Sequence, residues 1–248
     1  EPSNFVTTSL SVVIPMYNEE ESIEAAVAAA RATLEPLGAD YEIVIVDDGS
    51  TDRSAARAEA LAVGDPRLRV LRHERNRTLG AALRTGFAAA RRELVLYTDA
   101  DLPVDLRVLP RALDELERSG ADLLAAYRLN PAAAGRRRAL YTRAYNRLIR
   151  ALFGLPVRDV NFAFKLFRRG LLDSVTLRSE GSLIDAELLL KARNAGARFV
   201  ELGVEYQPRR SGRSTLASPR VILKLLWELV ALRRELRPSR RPVPKRGG

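Results

Sequence analysis

"ELVLYTDADLP", residues 93–103, runs a short apolar stretch of strand character straight into two aspartates, Asp99 and Asp101. Period two in an extended chain puts both on one side, at the end of a strand. Carboxylates that close repel each other unless a cation or water sits between them. Their hard oxygens suit Mg2+ or Mn2+, which retain water and share phosphate oxygens. A plainer reading makes Asp101 or Asp105 the N-cap of a helix at 104–118.

Working outward, the first 127 residues alternate such runs with segments of helical period, the pattern of a parallel sheet covered by helices. Strands are expected at 10–15, 41–46, 68–72, 93–98 and 122–127. Asn18 reads as the cap of the first helix, with Glu19, Glu20 and Glu21 in its first turn and Ile23, Val27, Ala30 and Leu34 along one face. Ligands of open sheets bind beyond the carboxyl ends of strands, where "PMYNEE", "DDGSTD" and "TDADLP" lie. Neither a dinucleotide G-x-G-x-x-G after the first strand nor a P-loop is present. Beyond residue 127 come an arginine-rich helix at 136–153 and a half-buried strand within 159–169, with Val160, Phe162, Phe164 and Leu166 on one face. A helix at 182–196 and a strand within 198–208 follow.

Composition narrows the chemistry. The 248 residues contain no cysteine, which excludes disulfides, thiolate zinc sites and cysteine nucleophiles. The one histidine, His73, lies in the charged stretch "LRHERNR" and reads as a surface residue, which speaks against histidine-centred triads. Net charge is +10, concentrated in two blocks: residues 128–150 hold seven arginines and no acid, and 233–248 hold seven basic residues against Glu235. Such blocks fit anionic partners: phosphates, lipid head groups or nucleic acid. A nucleic-acid surface leaves the acidic motifs without a purpose, so no nucleic acid is expected. The N-terminal "EPSNFVTTSL" lacks a leader pattern, and the longest apolar stretch, 221–232, is broken by Lys224 and Glu228 and is too short to span a bilayer.

"IVDDGSTD" supplies a second acidic pair. Gly49 permits a tight turn, Ser50 or Asp52 can cap a helix, and an aspartate closing the second strand is placed to accept hydrogen bonds from a ribose or base. "VVIPMYNEEESI", "VDDGSTD", "DADLP" and "YQPRRSGRSTL", in this order, resemble the family 2 glycosyltransferases, and among them the polyprenyl (dolichol) phosphate hexosyltransferases. The likeness covers residues 8–230. It implies an α/β GT-A fold: a Rossmann-like, mostly parallel central sheet flanked by helices, followed by a C-terminal amphipathic helix.

By that resemblance, Pro15, Tyr17 and Glu19 line the nucleotide pocket, and Asp47 and Asp48 contact base or ribose. Asp99, Ala100 and Asp101 hold the metal-bound diphosphate, with Asp99 and Asp101 as the ligands of Mg2+ or Mn2+. Relatives often carry a glutamine where this chain has Pro103. Arg209 matches a mobile phosphate-binding loop, in which Thr215 stands where many relatives have lysine. Arg128, Arg136, Arg137 and Arg138 resemble acceptor-loop arginines suited to a lipid phosphate. "IDAELL" matches the acceptor-side acidic motif. Asp185 is the candidate general base should the acceptor be a hydroxyl. With a phosphate acceptor no base is needed, and Asp185 and Glu187 would orient arginines instead. The plainer reading, exposed helix residues, fits Glu187 better than Asp185.

The resemblance thus implies an inverting transfer of a hexose from GDP-mannose or UDP-glucose to a polyprenyl phosphate. The alternative is a hydroxyl acceptor on a polysaccharide or small molecule. The expected organisation is a glycosyltransferase domain at 1–215, with a nucleotide-sugar half at 8–127 and an acceptor half at 128–215. An amphipathic segment at 216–236 and a basic tail at 237–248 follow. Trp227 and the basic tail suit an anionic membrane surface, so the expected location is cytoplasmic and peripheral, on the cytoplasmic face.

Overall fold

A computed structural model describes residues 8–207. Seven strands form one sheet: β1 Ser9–Met16, β2 Asp40–Asp47, β3 Leu68–Arg72, β4 Leu94–Thr98, β5 Leu123–Arg128, β6 Phe164–Arg168 and β7 Phe199–Val204. Their spatial order is β3-β2-β1-β4-β6-β5-β7. Every neighbouring pair is parallel except those made by β6, which runs antiparallel between β4 and β5. The carboxyl ends of the other six strands therefore share one edge.

The helices are α1 Ile23–Leu34, α2 Ser54–Ala62, α3 Leu79–Ala89, α4 Leu109–Ser119, α5 Arg136–Phe153, α6 Gly170–Asp173 and α7 Ile184–Asn194. β1 and β2 are buried along almost their whole length because helices cover both faces, which is why they read as unbroken apolar runs. Ile23, Val27, Ala30 and Leu34 of α1 and Leu109, Leu113 and Leu116 of α4 share one core with Val12, Ile14, Ile43 and Ile45, α4 lying against β5, β6 and β7. α3 lies against the face that carries Val13, so closely that a Cβ on Gly86 would meet Val13 Cγ1 at 2.4 Å. There Phe87 makes edge-to-face contacts with Tyr97 and Phe167, with ring centroids 6.3 and 5.4 Å apart.

Three local readings change. Asn18 does not cap α1: its φ is +55°, and Ser22 precedes the first helical residue, after a turn in which Ser22 N and Ile23 N donate to Glu19 O. Asp105, not Asp101, is the capping aspartate, accepting from Arg107 N at the short turn Leu106–Val108 that leads into α4. β6 is buried on both faces, since Lys165 and Phe167 are as enclosed as Phe164 and Leu166. An internal antiparallel strand with helices on either side has no solvent face.

Candidate functional site

The strand order reverses at β1: β2 and β3 lie to one side of it, and β4 to the other. Such a switch point leaves a crevice beyond the carboxyl ends, the usual ligand position in open α/β sheets. Pro15 is buried at the end of β1, whereas Tyr17 is exposed and Glu19 half-buried in the loop that follows. Asp47 closes β2, Asp48 follows it, and Asp99, Ala100 and Asp101 follow β4. The fold thus gathers all three predicted acidic segments along one edge.

The loops after β1 and β2 are stitched to each other. Asn18 N donates to Ser50 Oγ at 2.9 Å, Glu19 N to Ser54 Oγ at 2.7 Å, and Thr51 N to Asn18 Oδ1 at 2.8 Å. The left-handed Asn18 thereby binds the two loops to each other instead of starting a helix. Gly49, at φ +74°, is needed for a second reason: a Cβ there would lie 2.5 Å from the carbonyl carbon of Arg75.

Asp47 is fully buried and Asp48 nearly so, and two adjacent buried carboxylates require compensation. The next strand supplies it. Asp47 pairs in register with Arg72, whose Nε lies 3.2 Å from Asp47 Oδ2 but outside hydrogen-bonding geometry. Asp47 Oδ1 accepts from Ser50 N at 3.0 Å. His73 follows Arg72 as Asp48 follows Asp47. It is buried, not superficial as its charged neighbours imply, and its Nδ1 lies 2.7 Å from Asp48 Oδ1. The dipeptide Arg72-His73 thus faces Asp47-Asp48.

Asp99 and Asp101 are both half-buried, on the turn after β4, where Leu102 N donates to Asp99 O. Tyr97 Oη donates to Asp99 Oδ1 at 3.3 Å. Burial, together with the charges of Asp185 and Asp99, pushes the Tyr97 phenol well above its ordinary range, so it remains a neutral donor. No cluster of three or more His, Cys, Asp or Glu suited to a metal occurs among the described residues. Two carboxylates at a sheet edge do fit a Mg2+ or Mn2+ ion whose other ligands are diphosphate oxygens and water.

In the later part of the chain, Asp185 sits on the first turn of α7 with 3% exposure, and its Oδ1 is 2.5 Å from Lys165 Nζ. Lys165 is fully buried, also donates to Phe162 O at 2.8 Å, and lies 5.4 Å from the Tyr97 ring centroid. Burial pushes the Asp185 carboxyl up against the pull of the Lys165 ammonium. Lys165 was not legible as a site residue, since a lysine in a presumed half-exposed strand reads as solvent-facing. Glu187, expected to be exposed, is 1% exposed and accepts from Arg178 N and Ser179 N, besides pairing with Lys191 at 2.7 Å. It anchors the loop that meets the start of α3, where Gly80 N donates to Glu180 O at 2.6 Å.

The Arg128 side chain is also enclosed, between the rings of Phe162 and Tyr206 at 4.9 and 5.1 Å, and pairs with Asp159 at 3.1 Å. Arg136, Arg137 and Arg138 occupy the first turn of α5. Arg209, Thr215, the amphipathic segment and the basic tail lie outside the described residues.

An open α/β sheet with acidic turns at its switch point defines a protein of the GT-A type. A crystal structure of Mycobacterium tuberculosis glucosyl-3-phosphoglycerate synthase is similar at TM-score 0.65 and 26% identity, over 89% of this chain and 80% of that one. Another structure of that enzyme, in complex with Mn2+, UDP and phosphoglyceric acid, shares the fold at TM-score 0.64 and 24% identity, over 92% of this chain and 75% of that one. The description Glycosyl transferase family 2 matches residues 11–176, and the chain belongs to that family. Among curated relatives, glycosyltransferase AglD of Haloferax volcanii is 32% identical over 89% of this chain and 37% of its own length. An undecaprenyl-phosphate 4-deoxy-4-formamido-L-arabinose transferase of Enterobacter sp. is 32% identical over 89% of this chain. The chain spans 66% of that relative's length.

Proposed function

We propose that the protein transfers a hexose, with inversion, from a nucleotide sugar to a polyprenyl phosphate. The observation that carries the choice of acceptor is Asp185, buried and bound to Lys165. In that state it is not placed to take a proton from a hydroxyl acceptor. A phosphate monoester is already anionic at pH 7 and needs no base. The named activity of the Enterobacter relative, on undecaprenyl phosphate, supports the same class.

In this reading an acceptor phosphate oxygen attacks the anomeric carbon, the bond from that carbon to the nucleotide diphosphate breaks, and the diphosphate leaves with the bonding pair. Asp47 and Asp48 hold the nucleoside, with Pro15, Tyr17 and Glu19 completing the pocket. Asp99 and Asp101, with Ala100 between them, hold the diphosphate through Mg2+ or Mn2+. The ion supplies charge neutralisation at the leaving group. Arg209 adds a second positive charge, and Thr215 belongs to the same loop. Gln207 N donates to Pro103 O at 2.9 Å, which holds Gln207 beside the acidic turn. Arg136, Arg137 and Arg138 receive the lipid phosphate. Arg128, tied to Asp159, shapes that region instead.

The halves at 8–127 and 128–215 divide donor from acceptor, and 216–236 with the basic tail rests on anionic lipid at the cytoplasmic face. Mannose and glucose remain the two donor sugars to be tested. Asp101→Ala and Asp99→Ala are expected to lose transfer by at least about 100-fold, as for removal of a principal charge-stabilising group, with unchanged thermal unfolding. A variant with wild-type transfer would overturn the metal-holding assignment.

A further inference from the structure

We propose that His73 is a positioning residue for nucleoside recognition, fixing the carboxylate of Asp48; this rests on the assignment of Asp48 to the nucleotide pocket. The imidazole bridges two elements. Nδ1 lies 2.7 Å from Asp48 Oδ1 at the end of β2, and Nε2 lies 2.9 Å from Thr85 Oγ1 on α3. Two bonds at opposite ends of a planar ring fix both its place and its rotation. The backbone leaves little slack, because His73 N donates to Asp47 O at 2.9 Å.

Asp48 Oδ1 has a second donor, Arg77 N at 3.0 Å. Segment 73–77 therefore holds one oxygen of Asp48 from its side chain at 73 and its main chain at 77, and its backbone at 75–76 presses on Gly49. Asp48 Oδ2 accepts no hydrogen bond from the described residues. Asp48 N donates to Met16 O at 2.8 Å, which ties the backbone of residue 48 to the end of β1, at the switch point. One oxygen committed to the fold and one left over is the arrangement of a residue held to read a ligand. His73 is the only side chain that donates to the committed oxygen among the described residues, so it sets the direction of the other.

A structural role alone does not require the bond at Nδ1 in particular, and the test exploits this. Asparagine places an amide nitrogen near the position of Nδ1, and glutamine places one near Nε2. Binding of UDP and GDP to the full chain is measured by calorimetry for the wild type, His73→Asn, His73→Gln and His73→Leu, with thermal unfolding recorded for each. For whichever nucleotide the wild type binds, His73→Asn is expected to stay within about threefold of the wild type. His73→Gln and His73→Leu weaken binding by about tenfold or more, the scale of one charge-assisted hydrogen bond. In turnover the loss appears in the KM for the nucleotide sugar, with kcat held.

Equal affinity across the three variants overturns the proposal, as does a loss in all three that follows unfolding temperature alone. If His73→Leu does not fold, the contrast between asparagine and glutamine still decides. Asp48→Ala separates the two assignments. If it binds the nucleotide as the wild type does, the assignment of Asp48 to the pocket fails and His73 loses its role with it. If it loses binding while His73→Gln and His73→Leu keep theirs, only the positioning role fails.

Discussion

Replacing Asp185 with asparagine removes the charge that faces Lys165 Nζ at 2.5 Å. The ammonium, with a 1% exposed side chain, keeps Phe162 O at 2.8 Å as its acceptor but has no counter-charge at hand. Breaking a buried pair from one side costs about 3–5 kcal/mol. At roughly 2–4 °C per kcal/mol for a domain of this size, the unfolding midpoint falls by roughly 6–20 °C. Lys165→Met alone carries a similar cost, since it leaves a carboxylate without its partner. The double variant Lys165→Met, Asp185→Asn removes both charges at nearly matched volume and is expected to recover most of the loss, because replacing both members of a buried pair with uncharged groups of similar volume is often neutral. Circular dichroism melts of the four proteins complete the cycle, with transfer assayed below the lowest midpoint. The reasoning is refuted if Asp185→Asn melts with the wild type yet transfers nothing, which is the behaviour of a general base.

Glu187 carries a pH prediction. Burial alone raises its carboxyl, but Lys191 and the N–H groups of Ser179 and Arg178 outweigh it, so its pKa lies below the ordinary 4.5. A group lowered by folding stabilises fully above its unfolded value and loses that contribution as the pH falls through the folded one. Melts below about pH 4.5 are expected to fall less steeply in Glu187→Gln, which at pH 7 costs about 1.5–3 kcal/mol for the lost charged hydrogen bonds. Gly49→Ala forces a Cβ to 2.5 Å from Arg75 C at φ +74°. It is expected to destabilise by at least about 1–2 kcal/mol from the left-handed backbone alone, and to weaken UDP or GDP binding in calorimetry.

The strands of the first half were legible because double-sided burial leaves nearly continuous apolar runs, and their acidic ends mark the carboxyl edge. Val12 to Ile14 and Ile43 to Val46 are examples, all buried. The place of β6 was not legible, since its insertion between β4 and β5 depends on pairing across the chain and not on local pattern. The same limit explains the residues misread. His73 and Glu187 look superficial among charged neighbours, but their partners come from other segments: Asp48 and Thr85 for the first, the N–H groups of Arg178 and Ser179 for the second. Lys165 looks unremarkable in the sequence and Asp185 reads as a candidate base, and only β6 meeting α7 makes them a pair. Asn18 carries a cap's side chain, but its positive φ turns that side chain toward the neighbouring loop, where it accepts from Thr51 N.

The central claim is transfer to a lipid phosphate, and the direct measurement is the partition of labelled sugar. The protein is incubated with GDP-mannose or UDP-glucose and polyprenyl phosphate, with Mg2+, with Mn2+ and with chelator, then extracted with organic solvent. Label is expected in the organic phase with one donor, only with a divalent ion, and in Asp185→Asn assayed below its midpoint as well as in the wild type. Label confined to the aqueous phase under every pairing, or incorporated only into a hydroxyl acceptor and lost in Asp185→Asn, would contradict the account.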